Sequence, residues 1–67
     1  MIKIKVNGKE KEISDNISIL NFLNENKINL EGVFIGYNGG IIRREKFNEL
    51  ILKDSDILEI IKIVAGG

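Results

Sequence analysis

The residues of this 67-residue sequence that are best suited to chemistry are its two terminal glycines, Gly66 and Gly67. Because glycine has no Cβ, such a pair can enter a narrow channel and let the backbone of another protein approach closely. A carboxylate is a poor electrophile, so a partner enzyme must attach AMP from ATP before it can react. We therefore interpret Gly67 as an acyl group for activation and Val64, Ala65 and Gly66 as the threading segment; an accidental diglycine is the alternative.

The composition argues against catalysis by side chains. The sequence contains no His and no Cys, which removes the usual neutral-pH base, the thiolate nucleophile and most zinc-binding chemistry. Asp54-Ser55-Asp56 lacks the further oxygen ligands, the turn glycine and the distal Glu of a calcium loop, so it is interpreted as a tight turn. We expect no catalytic residue, no metal site and no bound cofactor.

The charges and the apolar runs bear on partners and location. Ten basic and ten acidic residues give a net charge of zero, which argues against nucleic-acid binding. Arg43, Arg44 and Lys46 form a local cluster that is interpreted as a solvated face, with partner contact as the alternative. No apolar run approaches the roughly 20 residues of a membrane span, and no signal-peptide pattern is present. The expected location is the cytoplasm.

Alternation and turn residues predict the first half of the fold. Aliphatic and lysine residues alternate over residues 2–6, Asn7-Gly8 is a strong hairpin signal, and residues 9–13 return as a second strand. Ser18 is the expected cap of a helix over residues 19–26. Ile17 precedes that cap and is expected to pack on Phe22, and the apolar stripe of the helix is centred on Leu20 and Leu23.

The second half predicts three further strands, over residues 33–37, 41–42 and 57–64. Residues 45–52 are expected to be irregular or briefly helical, and residues 53–56 to form a turn. The order β-β-α-β-β-β describes one α+β domain of the β-grasp type, residues 1–64, followed by a flexible tail, residues 65–67. Its mixed sheet of about five strands carries one main helix on one face, and the first and last strands pair in parallel at the centre.

The last strand is apolar on both faces. Leu58 and Ile60 are expected to fill the core, while Ile61 and Ile63 point to the opposite side. If the third strand turns its odd-numbered residues inward, Phe34 joins them there. A contiguous apolar patch of this kind is typical of a partner surface, although scattered exposed hydrophobic residues are common and need no explanation.

The sequence resembles the ThiS family of sulfur carriers, within the ubiquitin-like group that includes the small subunit of molybdopterin synthase. The resemblance spans the chain and is strongest at Asn38-Gly39, Ile41-Ile42, Arg44-Glu45, Phe47, Leu50, Asp54-Ser55-Asp56, Ile57-Leu58-Glu59-Ile60 and Val64-Ala65-Gly66-Gly67. Family members commonly have Pro at position 43, Trp at position 47 and Gly at position 55, where this sequence has Arg43, Phe47 and Ser55.

The resemblance implies a sulfur-carrying cycle in thiamine biosynthesis. A ThiF-like adenylyltransferase, using ATP and magnesium, adenylates Gly67, a sulfur relay fed by a cysteine desulfurase converts it to a thiocarboxylate, and a ThiG-like thiazole synthase takes the sulfur. The chain would be a co-substrate and not an enzyme. A molybdopterin-type carrier, a ubiquitin-like protein modifier and a non-catalytic β-grasp binding module are the alternatives.

Overall fold

The N-terminal alternation forms a hairpin, as the sequence predicts. The computed structural model of the protein describes residues 1–63. Strand β1 (Ile2–Val6) pairs antiparallel with β2 (Lys9–Ile13). Asn7 and Gly8 turn the chain with φ values of 51° and 83°, the left-handed conformation that Asn and Gly adopt most easily. The pairing places the aliphatic residues of β1 on one face of the sheet and its lysines on the other.

Helix α1 (Ile19–Glu25) begins at the predicted cap. The Ser18 hydroxyl oxygen accepts a hydrogen bond of 3.1 Å from the Asn21 backbone N–H, which satisfies one of the free donors of the first turn. All four residues expected in the apolar stripe, Leu20 and Leu23 with Ile19 and Phe22 flanking them, turn toward the core, but Ile19, Phe22 and Leu23 are fully buried and Leu20 is only half-buried. The reason is that the side chains meeting the sheet follow the 3–4 spacing that starts at Ile19.

The second half contributes β3 (Val33–Tyr37), β4 (Gly40–Ile42), a short 3-10 helix (Arg44–Lys46) and β5 (Ile57–Lys62). Strand β4 begins one residue earlier than predicted, because Gly40 pairs with Tyr37 directly after the turn. Strand β5 ends at Lys62, so Ile63 lies outside it, and Val64, to which the predicted strand extended, lies outside the described residues.

The strands form one five-stranded sheet in the order β2-β1-β5-β3-β4. Strand β5 is central: it pairs parallel with β1 and antiparallel with β3. A parallel neighbour requires a long connection, and here that connection contains α1 and the β3-β4 hairpin. The predicted mixed sheet with one helix on one face is therefore confirmed.

The hydrophobic core lies between α1 and the sheet. Its buried members come from every strand except β4, from α1 and the residue before its cap, and from the segment after the 3-10 helix: Ile4, Ile13, Ile17, Ile19, Phe22, Leu23, Ile35, Phe47, Leu52 and Leu58. A helix on one face of the sheet leaves the other face without a covering layer in the part of the chain that the structure describes. Within residues 1–63, no helix has the length and hydrophobicity needed to cross a membrane.

Candidate functional site

The sheet face that α1 does not cover is the candidate site. The side chains of β5 point alternately to the two faces of the sheet. On the core side, Leu58 is fully buried and Ile60 is half-buried. Successive side chains of a strand point to opposite faces. Ile57, Glu59 and Ile61 therefore lie on the uncovered face, and all three are exposed.

Large exposed hydrophobic residues are concentrated on this face. Among residues 1–63 there are seven such residues, and five of them belong to it by register or by continuation of the alternation. They are Phe34 (48% exposed), Ile41 (63%), Ile57 (48%), Ile61 (41%) and Ile63 (58%). We call these five residues the open apolar face. Clustering of this kind is typical of a contact surface and is unusual for a side exposed permanently to water.

The register places two predicted contact residues side by side. Phe34 of β3 is directly opposite Ile61 of β5, and side chains opposed in this way lie about 5 Å apart at Cβ. The structure therefore places Phe34 beside Ile61, in agreement with the sequence prediction. Ile63 is exposed and follows two residues after Ile61, and the role of all three residues in partner binding stays a prediction.

Two members of the open apolar face were missed by the sequence analysis. Ile57 precedes the buried Leu58, so strict alternation along β5 alone would have assigned it to this face. Ile41 lies opposite Gly36, and that assignment needs the exact start of β4. The hairpin signal at Asn38-Gly39 contains this information, because a two-residue turn pairs Tyr37 with Gly40.

The segment that leads to the tail is fixed to the domain at its base. The Ile63 backbone N–H donates a hydrogen bond of 2.8 Å to the Gly32 carbonyl oxygen. Gly32 adopts a φ of 68°, and a Cβ built there would lie 3.4 Å from the Ile63 carbonyl oxygen, so glycine suits this close approach. The predicted activation site Gly67 and the threading residues Val64, Ala65 and Gly66 lie outside the described residues.

The Asp54-Ser55-Asp56 turn is a structural feature in this fold. Asp56 Oδ2 accepts hydrogen bonds from Tyr37 Oη at 2.7 Å and from the Lys53 backbone N–H at 2.8 Å, and Asp56 Oδ1 accepts one from Asn38 Nδ2 at 3.1 Å. Its oxygens are thus engaged by protein donors. Within residues 1–63, no group of three or more acidic side chains could hold a metal ion.

The same contacts shift two pKa values. Burial alone raises the pKa of the Asp56 carboxyl, but the hydrogen bonds from Tyr37, Lys53 and Asn38, with the Lys53 charge, outweigh burial and hold that pKa below its ordinary value. The hydrogen bond to Asp56, followed by burial and the Asp56 charge, raises the pKa of Tyr37 to about 12. The network thus favours an ionised Asp56 bonded to a neutral Tyr37.

This network also fixes the start of β5. The Asn38 backbone N–H donates to the Ile57 carbonyl oxygen at 2.9 Å, and the Ile57 backbone N–H donates to Asn38 Oδ1 at 2.8 Å. The turn between β3 and β4 is thereby tied to the first residue of β5. Because the register of a strand decides which side chains reach which face, these bonds help to hold Ile61 opposite Phe34.

The basic cluster has intramolecular partners. Arg44 Nη2 donates a hydrogen bond of 2.7 Å to the Leu30 carbonyl oxygen, which connects the 3-10 helix to the loop before β3. Lys46 Nζ lies 3.3 Å from Glu49 Oε2 in an exposed ion pair, a kind of pair that contributes little stability. These contacts agree with the interpretation of the cluster as a solvated face.

A five-stranded mixed sheet with one helix on one face and its last strand at the centre defines a ubiquitin-like β-grasp protein. The model of the ThiS family matches residues 4–67. The chain therefore belongs to the ThiS family, the sulfur carriers of the thiamine type, as the sequence resemblance predicts.

Solved structures agree with this assignment, and sequence relatives match nearly the whole chain. The crystal structure of the thiamine biosynthesis protein ThiS from Geobacter metallireducens superimposes with a TM-score of 0.87 at 28% identity, covering 98% of this chain and 100% of that one. A solution structure of a thiamine biosynthesis protein from the same organism gives 0.81 at 28% identity, with 98% and 88% covered. The ycf40 proteins of Porphyra purpurea and Pyropia yezoensis are 33% and 36% identical over 66 residues, covering 98% of this chain and 93% of each relative.

Proposed function

We propose that the chain carries sulfur as a thiocarboxylate on Gly67 and donates it to formation of the thiazole ring of thiamine. The observation that carries this proposal is the extent of the family match, which runs through residue 67 and so includes Gly66 and Gly67. The Geobacter metallireducens structures, described as thiamine biosynthesis proteins, support the pathway. The absence of His and Cys supports a co-substrate role in place of a catalytic one.

The chemistry needs two steps at one carboxylate, the first at its oxygen and the second at its carbon. The Gly67 carboxylate attacks the α-phosphate of ATP, and pyrophosphate leaves to give an acyl adenylate. Sulfur at the oxidation level of sulfide then adds to the carbonyl carbon, and AMP leaves with the electrons of the former C–O bond. Sulfur that arrives from the relay as a persulfide reaches this level when a thiol of the relay reduces its S–S bond and is itself oxidised to a disulfide. A glycine at the terminus keeps that carbon open to attack, because no side chain stands beside it.

The fold supports the delivery of this tail. Its base follows β5, the central strand of the sheet, and is bonded to Gly32 through the backbone of Ile63. Four residues follow Ile63 and end at Gly67, which allows a reach of up to about 14 Å in extended form. The open apolar face includes Ile57 and Ile61 of the same strand and would contact the enzyme while the carboxylate enters its active site.

Membership of the ThiS family suggests the partners for the two steps. A ThiF-like adenylyltransferase would supply the site for ATP and magnesium, a sulfur relay fed by a cysteine desulfurase would supply the sulfur, and a ThiG-like thiazole synthase would accept it. The open apolar face, with Phe34, Ile61 and Ile63, is the proposed contact surface.

Intact mass spectrometry of the protein isolated from its native cells tests the carrier role. We expect a fraction of the protein to show the mass increase of one oxygen replaced by sulfur, located at the terminus by fragmentation. Covalent adducts on lysines of other proteins, without this thioacid form, would favour a protein modifier. Deleting the gene should create a requirement for thiazole or thiamine, whereas loss of molybdenum-enzyme activity would contradict the pathway.

A further inference from the structure

A single carboxylate lies within the open apolar face. Glu59 stands between Ile57 and Ile61 on β5, and its register partner on β3 is Gly36. Gly36 is in turn opposite Ile41 of β4. Glu59 is exposed. On this face its neighbours along β5 are two isoleucines, and its neighbours in the direction of β4 are Gly36 and Ile41.

Gly36 leaves one position beside this carboxylate without a side chain. Its backbone does not have the positive φ found at Gly8, Gly32 and Gly39, so the conformation does not require glycine. A Cβ built at Gly36 would lie 3.4 Å from the Glu59 Cβ, an ordinary contact. Glycine inside a strand weakens it and often marks a place where another molecule approaches closely. We call the space above Gly36, beside Glu59 and Phe34, the Gly36 notch.

The charge of Glu59 has no partner in the part of the chain that the structure describes. The two ion pairs found there join Met1 to Asp15 and Lys46 to Glu49. The basic residue nearest in register on this face is Lys5, which is opposite Ile57 and forms no ion pair with Glu59 within residues 1–63. The carboxylate is thus left to water while the face is uncovered.

Docking of the open apolar face would remove that water. Burying a charge without a partner is strongly unfavourable, and the penalty is offset only when an opposite charge with good hydrogen-bond geometry takes the place of water. A partner that covers Phe34 and Ile61 therefore needs a cation beside Glu59. Pairing inside an apolar surround is also stronger than the same pairing in water.

We propose that the enzyme that activates the tail inserts an arginine into the Gly36 notch, where its guanidinium forms two hydrogen bonds with the Glu59 carboxylate. The inference rests on the proposed function and names the chemistry of the partner at its contact surface. Arginine fits better than lysine because its flat fork matches a carboxylate and is less strongly hydrated. Phe34 lies two residues from Gly36 on the same face, about 7 Å along the strand, where its ring can support a guanidinium.

Two variants test the notch from opposite sides. Glu59→Gln keeps the shape and removes the charge, while Gly36→Val fills the space and should leave the fold intact, because valine favours strands. Both should weaken binding to the purified activating enzyme from the same organism by about tenfold in calorimetry, which corresponds to the loss of a charge-assisted hydrogen bond. The KM for pyrophosphate release should rise by a similar factor, with kcat retained at saturation.

Glu12→Gln is the matched control, because Glu12 lies on the same sheet face opposite Lys3. It should bind as wild type does. Raising the salt concentration should weaken wild-type binding more than binding of Glu59→Gln, since only the wild type has the charge pair.

The outcomes separate the two proposals. If the enzyme activates the wild type and both notch variants bind as Glu12→Gln does, the arginine contact is wrong while the carrier role stands. If activation is unchanged but the complex with thiazole synthase weakens, the assignment to the activating enzyme is overturned. If the enzyme does not activate the wild type at all, the proposed function fails and the notch inference fails with it.

Discussion

The uncovered sheet face has two halves that differ in composition. On β1 and β2, Lys3 is opposite Glu12 and Lys5 is opposite Glu10, so each charge faces its opposite across the strand pair. On β5, β3 and β4 the same face carries the open apolar face. Both halves are exposed, so the apolar half is not a general property of a small domain with one helix. The neighbouring half, on β1 and β2, is a charged surface in contact with solvent.

The difference is consistent with the position of the tail. The apolar half includes β5, the strand whose end leads to Val64 and the terminal residues, whereas the charged half includes the edge strand β2. Charged residues on an edge strand discourage pairing with another chain. The face is thus charged at the β2 edge and apolar on β5 and on the two strands beyond it, β3 and the other edge strand, β4.

The largest expected effect is at the terminus. Removing Gly67 should abolish activation, since it draws the carboxylate back by up to about 3.6 Å, and a displacement of about 1 Å can already cost roughly 100-fold in rate. Gly67→Val should also fail, because a β-branched side chain is stiff and bulky beside the reacting carbon. Pyrophosphate release with the cognate enzyme is the measurement.

Stability provides the contrast for these variants. The free energy of unfolding of both variants should lie within about 0.5 kcal/mol of the wild-type value. Gly40→Val makes the same chemical change on β4, where a Cβ would approach the Tyr37 carbonyl oxygen no closer than 3.9 Å, and it should retain activation. Normal turnover by a Gly67 variant would show that the diglycine is coincidental.

The two halves of the sheet face should respond differently to an added lysine. Ile61→Lys places a charge on the apolar half and should weaken the complex with the activating enzyme by tenfold or more, on the order of 1.4 kcal/mol. Glu12→Lys on the charged half should change binding by less than about twofold, an effect typical of rim charges. Calorimetric titration measures both, and circular dichroism checks folding. Unfolding of Ile61→Lys would mean that Ile61 belongs to the core.

The Asp56 network should matter for stability and not for docking. Asp56→Asn removes the charge from a buried side chain that accepts three hydrogen bonds. It should lower the free energy of unfolding by about 2 kcal/mol, as measured by denaturant unfolding. Binding by the folded fraction should stay near the wild-type value. Asp56→Asn with wild-type stability would contradict the structural role given to the turn.

The pH dependence of stability follows from the two shifted groups. The pKa of Asp56 is below its ordinary value of 3.8 in the folded chain, so its contribution is complete above that value and is lost as the pH falls through the folded pKa. Tyr37 has its pKa raised from 10.0 to about 12, so its contribution is complete below pH 10.0 and is lost as the pH rises toward 12. In the Tyr37→Phe variant, the free energy of unfolding should depend less on pH in the alkaline range, as measured by denaturant unfolding at a series of pH values.

The smallest expected effect is at the boundary between the halves. Ser55 precedes β5, and its backbone N–H donates a hydrogen bond of 2.7 Å to the Lys3 carbonyl oxygen. Its φ of 72° is left-handed, which is costly for a residue with a Cβ. Ser55→Gly should therefore stabilise the chain by up to about 1 kcal/mol in urea unfolding and leave activation unchanged. Destabilisation would show that the added chain entropy of glycine outweighs the relief of strain.

Local pattern was sufficient to predict most of the fold. Alternation gave β1 and β2, the Ser18 cap gave the start of α1, and the β-branched run gave β5, because each depends on neighbours within a few residues. The hydrogen bonds of Asp56 to Tyr37 and Asn38 span 19 and 18 residues. Such contacts depend on tertiary packing, so the sequence showed only a turn there.

The candidate site was predicted in part for the same reason. Phe34, Ile61 and Ile63 follow from alternation along single strands, and their placement was predicted. Ile41 and the opposition of Gly36 to Glu59 require the registers of two strand pairs. Gly36 is visible in the sequence as a glycine within the predicted strand 33–37, but its neighbour across the sheet is not.

The central position of β5 has a consequence for synthesis. The β1-β2 and β3-β4 hairpins are joined in the sheet only through β5, and the β1-β5 pairing connects Lys5 with Ile57. A nascent chain on the ribosome cannot complete its sheet until residue 57 and those after it have left the exit tunnel, and contacts this distant in sequence form late. A chain terminated before β5 therefore has neither a continuous sheet nor Ile57 and Ile61, and it cannot present the complete open apolar face to an enzyme.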